Sequence, residues 1–284
     1  MSELKSNKPV KDMNELDIVH KDEWEKLRQF TDARIGLGRV GTSIPTSELL
    51  RFQLSHAQAI DAVHVPLNVN ELCEQFEQSE KLKPYLPLQQ LHSKAIDRME
   101  YLQRPDLGRQ LDQQSIEQLQ EIAGEPYDLV FVIADGLSSY AIAHHAQSFL
   151  EKFISRLEES NNKKLNIAPI CVVQQGRVAV GDDVCEALNA KLVVLLIGER
   201  PGLSSPDSMG LYLTWNAKRG TEDSLRNCIS NIRPEGLRYD AAVNKAHYLL
   251  QESLHRKLSG VSLKDRSEDS LLEATDLQSF RLTD

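Results

Sequence analysis

At 284 residues and 40% hydrophobic, the chain is long enough to bury the core of one large or two modest domains, which excludes global disorder. Its 33 Lys and Arg stand against 42 Asp and Glu, a net charge of −9, and this argues against broad attraction to nucleic-acid phosphates or an anionic membrane surface. The longest apolar runs, such as Leu192–Ile197, fall far short of the ~20 residues that a helix needs to cross a bilayer.

The opening stretch MSELKSNKPVKDMNELDI has no apolar segment of secretory-signal length, which points to a reducing cytoplasm and free thiols. Cys73, Cys171, Cys185 and Cys228 are 98, 14 and 43 residues apart. That spacing suits neither a zinc pair nor a redox dithiol, and each reads as a small buried hydrophobe. Residues 1–30 form a charged, partly ordered arm in this reading, with Trp24, Leu27 and Phe30 at helical spacing and able to dock a turn or two on the body. After Pro45, Thr46-Ser47-Glu48 followed by Leu49, Leu50, Phe52 and Leu54 predicts an N-capped helix running through His56, Ala59 and Ala62. Glu71–Lys83 is polar and charged, Pro84 and Pro87 interrupt the chain, and a second helix is expected over Leu88–Leu102. The first ~110 residues thus read as helical, without enough β pattern for a sheet.

The pattern changes after Pro126. Leu129–Ala134 is a short unalternating apolar run, as in a strand covered on both faces, and it ends at Asp135-Gly136. Ile142, Ala146, Phe149, Leu150, Phe153 and Leu157 form one helical stripe, which the polar stretch Glu158–Lys164 ends. A second strand, Ile167–Val173, leads through Gln174-Gln175-Gly176-Arg177 to a short helix around Asp183–Leu188. The third strand, Leu192–Ile197, runs into Gly198-Glu199-Arg200-Pro201-Gly202. Leu211–Trp215 can add a further strand, and Ala242, Ala246, Leu249, Leu250 and Leu254 mark a last amphipathic helix. The expected fold is α/β: a Rossmann-like parallel sheet flanked by helices, with right-handed crossovers and a helical N-terminal region.

Several local patterns invite a chemical reading. Gly36-Leu37-Gly38-Arg39-Val40-Gly41 fits G-x-G-x-x-G, but no buried strand precedes it and Pro45 delays the next helix, so a flexible or partner-docking loop is the better reading. Asp135, Ser138 and His144 lie close in sequence, but Gly136-Leu137-Ser138-Ser139-Tyr140 lacks the second glycine of a nucleophile elbow, and Asp135 and Ser138 read as caps. His144 and His145 point ~100° apart on a helix and cannot hold one metal together. Three consecutive strands end in glycine-bearing, polar turns, which a parallel sheet places on one rim, where open α/β sheets bind ligands. The same glycines also suit tight turns alone, so the residues leave a ligand rim and a plain set of turns both standing.

Ala33–Gly41, Ala134–Ser138, Gly176-Arg177-Val178, Gly198–Leu203 and Arg226–Ile232 resemble, in order and spacing, the small subunit of ethanolamine ammonia-lyase. Leu102–Arg109 and Ser259-Gly260-Val261 extend the resemblance over roughly residues 30–264. It implies one chain of a higher hetero-oligomer of large and small subunits that uses adenosylcobalamin to convert ethanolamine into acetaldehyde and ammonia. The radical chemistry belongs to the coenzyme. Substrate would lie in the large subunit's barrel, so no catalytic residue and no metal ligand is expected here, and this chain would form one wall of the cobalamin site.

Carried over by motif, the cofactor contacts are Val178, Glu199 and Cys228, and further contacts near Asp135, Arg177 and Arg200 stay open. No D-x-H-x-x-G occurs, and the resemblance implies that the coenzyme keeps its own dimethylbenzimidazole on cobalt. The implied organisation is an arm (1–30), a helical subunit-docking region (31–110), a cobalamin-facing α/β domain (111–264) and an acidic tail (265–284). A non-catalytic doubly wound interaction or ligand-binding module is the alternative. Location inside a bacterial microcompartment is left open, because Pro9 and several charges interrupt any targeting helix in residues 1–20. The charge is uneven: residues 265–284 carry 2 basic and 6 acidic groups, contributing −4 of the −9, as a solvated, mobile tail would.

Overall fold

The computed structural model describes residues 19–160 and 164–267. The acidic tail, apart from its first three residues, and the first 18 residues of the arm lie outside the described residues. The chain divides between Ala57 and Gln58 into two compact units. In the first, Val19–His20 (β1) pairs antiparallel with Arg39–Val40 (β2). Between them in sequence, the Asp22 carboxylate caps a 3-10 helix at Glu23–Gln29. That helix buries no residue, and Trp24 and Phe30 are 66% and 78% exposed. The glycine motif sits in this ribbon. Gly38 has φ +72°, and a Cβ there would stand 2.5 Å from the His20 carbonyl oxygen, so close approach to β1 accounts for it without a nucleotide. Thr46–His64 (α1) is helical as its sequence predicts.

The second unit is built on a six-stranded sheet. Its strands are Gln89–His92 (β3), Val130–Ala134 (β4), Cys171–Gln174 (β5), Leu192–Gly198 (β6), Met209–Trp215 (β7) and Arg226–Ile232 (β8), in spatial order β3-β5-β4-β6-β7-β8. The first four are mutually parallel. Apolar residues run through β4 and β6 without alternation because both faces are covered. Phe131, Ile133, Val194 and Leu196 face one core, and Val130, Val132, Val193 and Leu195 face the other. The first core is closed by Val69–Gln78 (α2), Ser139–Glu159 (α5) and Tyr239–Arg256 (α7), and the second by Gln113–Ile122 (α4) and Val180–Ala187 (α6).

The expected fold needs three corrections. The sheet is mixed rather than parallel, because β7 pairs antiparallel with β6 and β8 antiparallel with β7. The helix expected over Leu88–Leu102 is instead strand β3, a loop and a short helix, Arg98–Gln103 (α3), so the N-terminal region also supplies a strand to the sheet. Leu88-Gln89-Gln90-Leu91 has good helix formers, but the free edge of β5 supplies backbone partners, and tertiary pairing outweighs local propensity. Finally, the polar segment 71–83 contains most of α2, whose Val69, Leu72 and Phe76 recur on one buried face behind an Asn68 cap. β8 carries little sequence signal because an edge strand needs few apolar residues, and here Ile229 and Ile232 suffice.

His145 joins α5 to its surroundings. It is 5% exposed, with Nδ1 2.6 Å from the Tyr239 hydroxyl and Nε2 3.3 Å from Asp207. Burial holds its pKa below the ordinary 6.5, against the opposing pull of Asp207. The unfolded chain therefore takes up this proton at a higher pH than the folded one. The resulting stability is full above 6.5 and is lost as the pH falls through the folded pKa. Lowering the pH from about 7.5 to about 5.5 should depress the melting temperature of the native chain more than that of a His145→Gln variant, as differential scanning fluorimetry would record.

Candidate functional site

The carboxyl ends of β4, β5 and β6 are tied into one rim by their own backbone. Asp135, at the end of β4, is 1% exposed, and its two oxygens accept from the N–H groups of Gln175 and Gly176 at 3.0 Å each. It is an anchor between turns and not the helix cap expected of it. Arg98 approaches the same carboxylate at 3.5 Å and donates to the carbonyl oxygens of Gly136 (2.8 Å) and Val63 (2.6 Å). Burial pushes the Asp135 pKa up, opposed by Arg98 and the backbone donors. Gly136 and Gly198 let β4 and β6 close together: the Leu137 N–H donates to the Gly198 carbonyl at 2.9 Å, and a Cβ on Gly198 would stand 2.0 Å from the Ser138 carbonyl oxygen.

On this frame opens a cleft of 370 Å³, whose lining includes Tyr101, Arg177, Val178, Glu199, Arg200 and Tyr212. Tyr101 is fully buried, with Arg98 4.8 Å and Arg177 4.3 Å from its ring centroid, and its hydroxyl donates to the Gly176 carbonyl. The Arg177 N–H donates to the Gly108 carbonyl at 2.7 Å, so the 102–109 segment holds the turn that carries Val178. Glu199 extends from the end of β6 over Gly210, where a Cβ would come within 2.9 Å of its Oε1. Its carboxylate accepts from the Ser208 hydroxyl and from the Asn231 N–H (3.2 Å to Oε2). Two oxygens with about four lone-pair directions retain acceptor capacity for a ligand.

Cys228 is the cross-strand neighbour of Tyr212. It is exposed, which corrects the expectation that it fills the core, whereas Cys171 and Cys185 are buried and Cys73 is half-buried, all as free thiols. Burial, helped by the Cys228 thiol and the Glu199 charge, raises the Tyr212 phenol's pKa and keeps it protonated as a donor. Val178 and Glu199 thus share one cleft with Tyr212, and Cys228 stands beside Tyr212 on the neighbouring strand. Sequence reasoning missed Tyr101, Arg98 and Tyr212, because a lone aromatic or arginine carries no spacing signal.

A hydrolytic reading does not survive this geometry. Ser138 is fully buried, its hydroxyl donates to the Pro206 carbonyl (2.8 Å), and it accepts from the Ala141 N–H as the cap of α5. His144 Nδ1 pairs with the Tyr140 carbonyl oxygen, not with Ser138.

Fold and cleft together define an α/β protein with a polar cleft at the carboxyl ends of its parallel strands. The family model for the ethanolamine ammonia-lyase light chain (EutC) matches residues 21–264. The chain is 50% identical over 268 residues to the ethanolamine ammonia-lyase small subunit of Pseudomonas fluorescens (strain Pf0-1), covering 92% of this chain and 94% of that one. It is 49% identical over 261 residues to that of Pseudomonas aeruginosa (strain UCBPP-PA14), covering 90% and 92%, and 50% identical over 255 residues to that of Xanthomonas campestris pv. campestris (strain ATCC 33913), covering 89% and 91%. The chain belongs to the ethanolamine ammonia-lyase light-chain family, the small subunits of a lyase.

Asp135→Ala should leave Arg98 buried beside an empty site and cost about 3 kcal/mol of stability, as for one partner removed from a buried pair. Urea denaturation followed by circular dichroism would measure the loss.

Proposed function

We propose that this chain completes an ethanolamine ammonia-lyase by forming one wall of its adenosylcobalamin site, with Val178, Glu199 and Cys228 as the coenzyme contacts. The large subunit then closes the other side and holds the substrate, and the enzyme converts ethanolamine to acetaldehyde and ammonia. The observation that carries this reading is proximity: Val178 and Glu199 line one cleft with Tyr212, and Cys228 stands opposite Tyr212 on the neighbouring strand. The donor set also suits the ligand. A corrin edge carries carboxamides and methyl groups. Glu199 can accept from amide N–H groups, Tyr212 and Arg177 can donate to amide oxygens, and Val178 gives apolar contact. A corrinoid is larger than the 370 Å³ cleft, which fits a wall and not an enclosing pocket.

The coenzyme, when bound, supplies the radical chemistry. This chain's part is to bind and orient it, so the chain holds no catalytic acid or base. The Rossmann-like comparison applies to the four parallel strands, whose carboxyl edge is where such sheets take ligands. The arm is residues 1–30, residues 31–110 dock the large subunit while also lending β3 to the sheet and Tyr101 to the cleft, the rest of the cobalamin-facing domain is 111–264, and the acidic tail is 265–284. In α1, Leu49, Leu50, Phe52 and Leu54 are 42–60% exposed, as expected of a helix that a partner subunit covers. Among the described residues no helix is long and apolar enough to cross a membrane. The enzyme is proposed to work as a higher hetero-oligomer in the cytoplasm, with neither nucleic acid nor membrane as a partner.

The isolated chain should release no acetaldehyde from ethanolamine, and activity should appear when large subunit and adenosylcobalamin are added under anaerobic conditions. Activity of the chain alone would refute the proposal. In the assembled enzyme, Glu199→Gln should weaken coenzyme binding by about 0.5–3 kcal/mol, as for a weakened charge-assisted hydrogen bond. An unshifted coenzyme titration would remove Glu199 from the site.

A further inference from the structure

The proposed contacts lie on different elements. Val178 is in the turn before α6, and Cys228 lies on the outer strand β8. Sheet hydrogen bonds place Cys228 opposite Tyr212, but no strand pairing reaches α6. One buried ion pair does. Arg226 Nη1 lies 2.6 Å from Asp182 Oδ1, and Nη2 lies 2.8 Å from Oδ2, in a two-pronged contact whose side chains are 3% and 2% exposed. Arg226 also donates to the Thr221 carbonyl oxygen at 2.7 Å and lies 3.1 Å from Asp223.

Both ends of this pair sit close to the contacts. Asp182 is in the first turn of α6, where the Val178 carbonyl accepts from the Gly181 N–H and the Ala179 carbonyl from the Asp182 N–H. Arg226 is two residues before Cys228, so alternation along the strand puts the two on one face of β8. Tyr212, opposite Cys228, packs with Val178 against the same core, that of α6. The neighbouring Asp183 is used separately: it accepts from the Leu111 N–H at 2.9 Å and pairs with Arg219.

A buried ion pair is weak evidence of a stabilising role, because well-packed apolar residues of similar volume often hold such sites equally well or better. What a guanidinium fork on a carboxylate adds is direction, since both partners are planar and two bonds fix their relative orientation. Apolar contacts such as those of Val180 and Val184 with the sheet hold α6 down, and Arg219 forks Asp183 (2.9 and 2.6 Å) from the loop before β8, but it is the Arg226–Asp182 fork that joins α6 to the strand bearing Cys228.

We propose that Asp182 and Arg226 are positioning residues for the coenzyme wall: their buried fork sets the first turn of α6, and with it Val178, against the start of β8, and with it Cys228 and Tyr212. This rests on the reading of the cleft as the coenzyme site. Neither residue touches the coenzyme, and each acts through the contacts it places.

The test uses the complete enzyme with its large subunit. Two variants, Asp182→Leu/Arg226→Met and Arg226→Lys, are titrated with hydroxocobalamin by absorbance, and the melting temperature is taken without coenzyme. The double variant keeps the buried volume and loses the direction, and Arg226→Lys keeps the charge and loses the fork. Both should bind the corrinoid about 3- to 30-fold more weakly, the span typical of indirect coupling, with the double variant melting near the native temperature. The KM for ethanolamine at saturating coenzyme should not change.

Native-like titration by the double variant would overturn the clamp. If that variant does not assemble, native-like titration by Arg226→Lys overturns it instead. Val178→Asp and Glu199→Gln, titrated in parallel, separate the two ways of failing. If they weaken binding and the fork variants do not, the clamp alone is wrong. If all four titrate like the native enzyme, the cleft is not the coenzyme site and the clamp falls with it.

Discussion

Asp135 has its carboxylate out of water where β4 ends, and its two oxygens take the first N–H groups of the turn after β5. A carboxylate buried this deeply must be compensated, and it is, by Arg98 and by peptide dipoles aimed at it. Arg98 carries the constraint onward, because its other bonds run to Gly136 on the β4 side, Gln175 on the β5 side and Val63 before α2. The close approach of Gly136 to Gly198 adds the end of β6. The rim is therefore a set of loops with little freedom to move independently. A rim of this kind suits a large ligand, since each loop ordered beforehand reduces the ordering cost on binding.

Around this anchor the polar groups work at different distances from the cleft. Tyr101, with the guanidinium groups of Arg98 and Arg177 both over its ring, connects the Asp135 node to the cleft that includes Val178. Glu199 is held from the opposite side by Ser208 and Asn231, both outside the parallel part of the sheet. The antiparallel strand β7 thus brings Tyr212 to the cleft, with Cys228 of β8 beside it, which a purely parallel sheet would lack at this edge.

Much of the central sheet was legible because burial on both faces leaves an unmistakable mark. Val130–Ala134 and Leu192–Gly198 have no polar residue, and the stripe from Ile142 to Phe153 can only be one face of a helix. Two strands with remote partners carried little signal, the first being expected as helix and the second not expected at all. Gln89–His92 and Arg226–Ile232 are the two outermost strands of the sheet, where one side of the ladder is open and polar residues are tolerated. Val178, Glu199 and Cys228 were reached through the motifs they belong to. Tyr101, Arg98 and Tyr212 were not, because what distinguishes each is a neighbour 35 or more residues away or on an adjacent strand.

By itself the sequence determined the parallel βαβ centre with its polar turns, the position of α1, and the family through ordered motifs spread over most of the chain. Only the tertiary structure decided that the sheet is mixed, that a strand from the N-terminal region joins it, that Asp135 is an anchor and not a cap, and that Arg226 is spent on Asp182 inside the protein. The reason is range. Hydrophobic periodicity is written locally, in the spacing of side chains along one element, whereas a buried charge is defined by a partner that the chain brings to it only on folding.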